Sequence, residues 1–250
     1  MKRIVWFALL GMMILSLVLS GCGGSKTKVT VAMDATWPPF ESVSESTKEI
    51  EGFDVDLIKA IAAKEGFEIE IKNVTWDPLL AGMATCQYDI AVSAMTITEE
   101  RKKQFNFSDP YFAAGQIVTV RIDEAAIAGK NDLVGKAIGT QLETTGDIEA
   151  KKIEGATVKA YDDIGLAFQD LMNGQVDAVI ADNPLALQYV GQNADKLKVV
   201  GDVFTDEYYG IAVCKDKTDL LDKINKGLAA VKDEGQIDTL IKKWIDSSGK

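Results

Sequence analysis

The segment SAMTITEER (93–101) places groups that can bind a carboxylate directly after a predicted strand. It carries hydroxyls at Ser93 and Thr96, followed by two acidic residues typical of a first helical turn. The guanidinium of Arg101 can bind both oxygens of a carboxylate through two parallel hydrogen bonds, which a lysine cannot do. The alternative is that Arg101 only pairs with Glu99 or Glu100 on a solvated helix face.

Two further polar positions follow predicted strands. TQLETTGD (140–147) would present the hydroxyls of Thr144 and Thr145 at a helix start, although this pattern is also that of a simple capped helix. Asp182 follows the apolar run DAVIA, which suits its carboxylate to an ammonium group. Ligands of open α/β sheets bind outside the carboxyl ends of the strands. Arg101 and Asp182 facing each other across a gap would therefore recognise a zwitterion.

Trp37 and Trp76 each come shortly after a predicted strand, and we expect both to lie in loops. Flat rings in such loops could flank an organic ligand, and they would add cation–π energy of ~0.5–2 kcal/mol if that ligand carries a positive side chain. The alternative is that each ring packs into the core.

The composition excludes several classes of function. The 250 residues contain no histidine, so a Ser/His/Asp triad, a His-ligated metal and an imidazole acid or base are absent. The formal net charge of −11, without a clustered basic stripe, argues against nucleic-acid binding. An enzyme would have to rely on carboxylates, Lys, Tyr or Cys.

The first residues are typical of an export signal. A positive start precedes an apolar run, and the run ends in LSGC (19–22), which resembles the bacterial lipobox. Residues 1–21 are therefore expected to be a lipoprotein signal peptide, with lipid attached to Cys22 and a polar tether over 22–28. The alternative, a transmembrane helix, would need a longer apolar run.

Export also affects the two remaining cysteines, since Cys86 and Cys214 would then face an oxidising or exposed environment. They could form a disulfide or remain two separate buried thiols. Two cysteines in a sequence cannot show that they are close together, so both alternatives stay open.

Strands and helices alternate along the chain, which predicts an α/β fold. KVTVAM (28–33), the helix expected over 53–64 and the strand over 67–71 form a βαβ beginning. Further on, a helix is expected over 78–85 and strands at DIAVSA (89–94) and KAIGTQ (136–141). DIAVSA has a counterpart in DAVIAD (177–182), which predicts two lobes of similar construction. EYYGIAV (207–213) then leads into helices near 220–233 and 236–245.

Five segments together resemble one family, the extracellular solute-binding proteins of bacterial amino-acid ABC importers, the polar amino-acid group known as family 3. They are GFDVDL (52–57), YDIAVSAMTITEER (88–101), FSDPY (107–111), VDAVIADNP (176–184) and YYGIAV (208–213). The resemblance implies a two-lobed periplasmic-binding-protein fold of type II. Each lobe would be a mostly parallel sheet flanked by helices. It places lobe 1 at 29–110 and 211–250, lobe 2 at 116–205, and a two-strand hinge near 111–115 and 206–210.

The resemblance also implies roles for the candidate residues in binding one amino acid. Arg101 would hold the α-carboxylate, and Asp182 would hold the α-ammonium group. The set completing the ligand site is Asp34, Trp37, Trp76, Ser93, Ala94, Thr96, Gln141, Thr144 and Thr145. Of these, Trp37 and Trp76 would sandwich the ligand, while Asp34 and Gln141 would face its side chain.

The same resemblance implies a binding protein without catalytic activity, cofactor or metal. Its partners would be a free amino acid, the permease subunits of an ABC importer with a separate ATPase subunit, and the membrane through the lipid anchor. The protein is expected to be a monomer at the outer face of the cytoplasmic membrane.

One departure from the family pattern concerns the ligand. Glu143 stands where relatives usually have glycine, which affects the turn at Thr144 or adds a carboxylate near the pocket. Asp34, Glu41 and Glu143 could together favour a basic amino acid such as arginine or lysine. The competing hypothesis is a cyclohexadienyl dehydratase-like enzyme on the same fold, with Glu143 as its general acid.

Overall fold

The computed structural model describes residues 28–246. The predicted signal peptide (1–21), the lipidation site Cys22 and the tether up to residue 27 lie outside the described residues, as do residues 247–250. No helix within the described part is long and apolar enough to cross a membrane.

Short strands alternate with helices along the described chain. In chain order the strands are β1 (Lys28–Met33), β2 (Thr36–Trp37), β3 (Glu41–Val43), β4 (Ile50–Glu51), β5 (Glu68–Asn73), β6 (Ile90–Ala91), β7 (Asn106–Phe107), β8 (Phe112–Ala114), β9 (Gln116–Arg121), β10 (Ala137–Gln141), β11 (Thr157–Tyr161), β12 (Ala178–Asp182), β13 (Leu197–Val200), β14 (Glu207–Tyr209) and β15 (Ala212–Val213). The α-helices are α1 (Phe53–Glu65), α2 (Trp76–Ala84), α3 (Glu99–Gln104), α4 (Thr145–Lys151), α5 (Ile164–Met172), α6 (Asn183–Gln192), α7 (Thr218–Asp233) and α8 (Gln236–Leu240). A 3₁₀ turn covers Lys130–Leu133, and a π-helix covers Ile241–Ile245.

Two five-stranded sheets organise the molecule. The first has the order β5-β1-β6-β15-β7 and the second the order β11-β10-β12-β9-β13. In each sheet four strands run in one direction, and only β15 or β9 opposes them. The prediction of two mostly parallel α/β lobes is confirmed. We call the first sheet with its helices the first lobe, and the second sheet with its helices the second lobe.

The chain crosses between the lobes twice, through β8 and β14. These strands pair antiparallel, with Glu207 opposite Ala114 and Tyr209 opposite Phe112. The crossing falls within the segments 111–115 and 206–210 expected from the family resemblance. That this two-strand crossing acts as a hinge stays a prediction.

Sequence signals set several of the element boundaries. Helix α1 ends at Gly66, whose φ of 71° is a left-handed cap that glycine adopts without strain. All five residues of β12 are buried, as its apolar sequence AVIAD requires of a strand covered on both faces. These boundaries bring the ends of β6, β10 and β12 toward the space between the lobes.

Helix α2 begins two residues earlier than predicted. Pro78 is its third residue, a first-turn position that needs no backbone N–H partner, so the proline does not exclude a start at Trp76. The expectation that both tryptophans lie in loops is therefore wrong. Trp76 is the first helical residue of α2, and Trp37 belongs to strand β2.

Cys86 and Cys214 form a disulfide in the structure, with their Cα atoms 5.1 Å apart. Cys86 follows α2, and Cys214 follows β15 on the first sheet. The bond therefore ties the segment that returns from the second lobe to the early part of the first lobe. Of the two alternatives left open by the sequence, the structure has the bonded one.

Replacing both cysteines by serine, Cys86→Ser with Cys214→Ser, is expected to lower the free energy of unfolding by about 4–5 kcal/mol. The reason is that the bond closes a loop of 128 residues in the unfolded chain. Denaturant titration of the oxidised protein and the double variant measures the difference. The wild type unfolded with a reductant present should match the double variant, whereas equal stability of all three samples would contradict the expectation.

Candidate functional site

A cavity with about 300 Å³ of empty volume, part of it open to solvent, lies between the two lobes. It is lined by Asp34, Trp37, Trp76, Ser93, Ala94, Thr96, Arg101, Gln141, Thr144, Thr145 and Asp182. The structure thus brings together all eleven residues that the sequence analysis assigned to a ligand site. That they bind a ligand remains a prediction.

Arg101 reaches the cavity from the first lobe. It lies in α3, whose N-cap Thr98 accepts a hydrogen bond from the Arg101 backbone N–H. The residue is 9% exposed, and its Nη1 donates to the carbonyl oxygen of Thr96 at 2.9 Å. Glu99 and Glu100, which could have paired with Arg101, form ion pairs with Lys102 and Lys103 instead. Arg101 is therefore a cavity residue and not part of a solvated ion pair.

Burial lowers the pKa of Arg101 to about 10, while the charges of Asp182, Glu207 and Glu143 oppose that shift. The side chain remains a cation at neutral pH. A buried cation that donates only to carbonyl oxygens favours an anionic ligand, because desolvation leaves its charge uncompensated.

The two tryptophans line the cavity and also pack into the core. Each is 7% exposed and belongs to a buried apolar cluster; the cluster of Trp76 lies in the first lobe, and that of Trp37 includes residues of both lobes. The Cζ atom of Arg101 lies 5.0 Å from the centre of the Trp76 ring, a cation–π distance. Neither indole N–H has a partner among the described residues. Both rings therefore pack into the core, as the alternative expected, and that they flank a ligand stays a prediction; their two buried N–H donors remain unused.

Asp182 lies on the side of the second lobe, at the end of β12 and before α6. Gln116 Nε2 donates to its Oδ1 at 2.7 Å, and the Tyr209 hydroxyl donates to its Oδ2 at 2.5 Å. Burial raises the pKa of Asp182 to about 7, and the charge of Glu207 adds to the effect. A cationic group arriving in the cavity would stabilise the ionised form of this carboxyl.

Hydrogen bonds across the cavity hold the two lobes together. Gln141 Nε2 donates to Asp34 Oδ2 at 2.8 Å, and Arg101 Nη2 donates to the carbonyl oxygen of Glu143 at 3.2 Å. Each bond joins a first-lobe residue to a second-lobe residue. The structure therefore describes a closed arrangement of the lobes.

Glu207 is a residue that the sequence analysis missed. Its Oε2 accepts from Thr96 of the first lobe and Thr145 of the second, both at 2.8 Å. It lies on crossing strand β14 and is 7% exposed. In the strand EYY, Glu207 and Tyr209 are buried on one side. This alternation is the one sequence signal that could have indicated an inward-facing carboxylate.

The turn before α4 holds Glu143 in a left-handed conformation. Glu143 has a φ of 59° and an exposed side chain outside the cavity lining, while its N–H donates to Asp147 Oδ2 at 3.1 Å. Thr144 caps α4 by accepting from the Asp147 N–H, and its hydroxyl donates to the Gln141 carbonyl. The side chain of Glu143 therefore adds no carboxylate to the cavity wall, and Thr144 has the capping role considered as an alternative.

The protein has two α/β lobes around a small cavity, with a cation on one wall and a carboxylate on the other. This arrangement defines the class of two-lobed small-molecule-binding proteins. Within that class, the chain belongs to the bacterial extracellular solute-binding proteins, family 3, which it matches over residues 29–247.

Three similar proteins illustrate the family. The L-cystine-binding protein TcyJ of Escherichia coli K12 is 33% identical over 217 residues, covering 86% of this chain and 81% of TcyJ. An ancestral arginine-binding protein bound to arginine shares 43% identity at a TM-score of 0.84, covering 88% of this chain and 98% of that one. The arginine-, lysine- and histidine-binding protein ArtJ of Geobacillus stearothermophilus shares 39% identity at a TM-score of 0.83, covering 88% and 96%.

Proposed function

We propose that the protein is the substrate-binding component of an ABC importer and captures one free L-amino acid by closing its two lobes. The observation that carries this proposal is the buried pair of opposite charges, Arg101 and Asp182, on the wall of one small cavity. Arg101 would bind the α-carboxylate through two hydrogen bonds, and Asp182 would bind the α-ammonium group. The closed form would then be presented to a membrane permease.

Closure follows from the placement of these groups on different lobes. A ligand that contacts Arg101 and Asp182 together interacts better with the closed form than with an open one, so its binding shifts the population toward closure. Thr96 and Thr145, joined through Glu207, would support the same closed form.

The side chain of the ligand would be basic, such as that of arginine or lysine. Asp34 lines the cavity, and Gln141 holds its carboxylate in place. Trp37 and Trp76 would flank a cationic side chain. Glu41 and Glu143 lie outside the cavity lining, so the preference rests on Asp34 and the two rings. The arginine-binding relatives support this choice, and the cystine-binding relative is the reason to test it.

Export and anchoring complete the proposal. The sequence LSGC would be processed so that Cys22 becomes a lipidated N-terminus at the outer face of the cytoplasmic membrane. The protein would act there as a monomer. The alternative of a dehydratase gains no support from Glu143, its candidate acid, because that side chain is exposed and outside the cavity lining.

A thermal-shift screen tests the proposal. The soluble form beginning at Ser25 would be heated with each of the twenty amino acids, ornithine and citrulline. A ligand at a hundred times its dissociation constant should add ~2.7 kcal/mol of stability, a rise of several degrees. We expect the rise with arginine, lysine and ornithine. A rise with neutral amino acids alone would contradict the basic preference, and no rise across the panel would contradict amino-acid binding.

A further inference from the structure

Two fully buried carboxyl groups lie behind the wall of the cavity. Glu41, on β3, and Asp54, in the first turn of α1, are each 0% exposed, and they lie near enough for each to shift the pKa of the other. Neither residue lines the cavity, and the proposed function does not use them. Two neighbouring acids that are fully buried need a physical explanation.

Two of their four oxygens accept hydrogen bonds from neighbouring donors. Glu41 Oε1 accepts from the Ser93 hydroxyl at 2.8 Å. Asp54 Oδ2 accepts from the Ala94 N–H at 2.7 Å and from the Tyr111 hydroxyl at 2.8 Å. Glu41 Oε2 and Asp54 Oδ1 are buried and receive no hydrogen bond from a described donor. Two ionised carboxylates offer acceptors only, so a proton held between the two groups is what would satisfy these oxygens.

The surroundings place that proton on Glu41. Burial raises the pKa of Glu41 well above its usual value, and the charges of Asp54 and Asp34 add to the effect. Burial raises the pKa of Asp54 to about 6, while the bonds from Ala94, Tyr111 and Glu41 oppose the rise. The other titratable groups acting here, Tyr111 and Tyr209, are acids as well. The pair is therefore most stable with one proton and one negative charge.

Glu41 and Asp54 contact the cavity wall at Ser93 and Ala94, where the backbone conformation is constrained. Ala94 has a φ of 43°, a left-handed conformation that an alanine keeps only where its surroundings hold it. Its N–H bond to Asp54 and the Ser93 bond to Glu41 are those holding contacts. Tyr111, bonded to the same Asp54 oxygen, directly precedes crossing strand β8.

We propose that Glu41 and Asp54 share one proton and act as positioning residues, holding Ser93 and Ala94 in the conformation that lines the cavity. The effect on ligand affinity rests on the proposed amino-acid binding. Proton sharing and the conformation of Ala94 do not, because both can be measured without a ligand.

The variant Glu41→Gln tests proton sharing, since its amide N–H can replace the shared proton and cannot titrate. At neutral pH Asp182 contributes an infrared C=O stretching band of a protonated carboxyl in both proteins, and the wild type should show the contribution of one further protonated carboxyl that the variant lacks. The folded wild type binds more protons than the unfolded chain between the usual and the raised pKa, so its stability should fall as the pH rises through that window. The variant should show a smaller fall. The same band and slope in both proteins would overturn proton sharing.

The variant Glu41→Ala tests the positioning role. In its ligand-free crystal structure Ala94 should leave the left-handed region, and its affinity for L-arginine should fall about tenfold or more, whereas Glu41→Gln stays close to wild type. If Ala94 kept its left-handed conformation in Glu41→Ala, the positioning role would be overturned. If Glu41→Ala fails to fold, the affinity of Glu41→Gln for L-arginine decides instead, and a tenfold loss there would overturn the positioning role. Failure of the wild type to bind any amino acid would contradict the proposed function and leave the ligand-free measurements to decide this inference.

Discussion

Replacing Arg101 by lysine is expected to raise the dissociation constant for L-arginine by about 30-fold or more, and replacing it by alanine by about 1,000-fold. Lysine keeps the charge but loses the second parallel hydrogen bond to a carboxylate. It also loses the planar group that lies over Trp76 and donates to Thr96. Alanine removes the cation altogether, so the ligand carboxylate would be buried without a counter-charge. Calorimetric titration of each variant with L-arginine gives the ratios.

Arg121 provides the matched control, because it is the other arginine within residues 28–246. It lies in the second lobe, where Nη1 donates to the carbonyl oxygens of Leu171 and Val176, outside the cavity lining. Arg121→Lys should leave the affinity unchanged. If Arg101→Lys also bound L-arginine as the wild type does, the assignment of Arg101 to the α-carboxylate would be wrong.

Replacing Asp182 by asparagine is expected to weaken L-arginine binding about 100-fold at neutral pH, because the α-ammonium group loses its counter-charge. The pH dependence should change as well. In the ligand-free wild type the pKa of Asp182 is raised to about 7. Below that pH Asp182 carries a proton, which the α-ammonium group of the ligand must displace. The affinity for L-arginine should therefore fall by up to about tenfold per pH unit as the pH decreases. This dependence should vanish in Asp182→Asn.

Asp177 is the control for this prediction, since it precedes the same strand at its opposite end. Its Oδ2 accepts from the Ala137 N–H at 2.9 Å, away from the cavity. Asp177→Asn should keep both the affinity and its pH dependence. An affinity of Asp182→Asn that equals wild type, or a wild-type affinity that is constant between acid and neutral pH, would contradict the assignment of Asp182 to the ammonium group.

The sequence predicts the repeating α/β construction because periodicity and strand ends are local properties. DIAVSA and DAVIAD each place a polar residue after a buried apolar run, and both ends do reach the cavity. The regular strand β6 is nevertheless only Ile90–Ala91, and the chain bends at the left-handed Ala94 three residues further on. A backbone bend of this kind depends on the buried partner Asp54, which no local pattern reveals.

Residues that act across the fold were harder to predict. Glu207 connects Thr96 and Thr145, which are 49 positions apart in sequence and belong to different lobes. The pairing of Glu41 with Asp54 likewise follows only when β3 packs against α1. Sequence reasoning can identify groups that line the cavity, because strand ends mark several of them. It cannot identify their supports, because those depend on tertiary contacts.

Calorimetric titration of the refolded wild-type protein with L-arginine and with agmatine, which lacks the carboxylate, tests the central claim most directly. Unfolding and refolding beforehand removes any amino acid carried through purification. We predict one arginine bound per chain, and for agmatine a loss of affinity similar to that caused by Arg101→Ala. Equal affinity for the two compounds, or no heat of binding with arginine or any other amino acid, would contradict recognition of a free amino acid through Arg101 and Asp182.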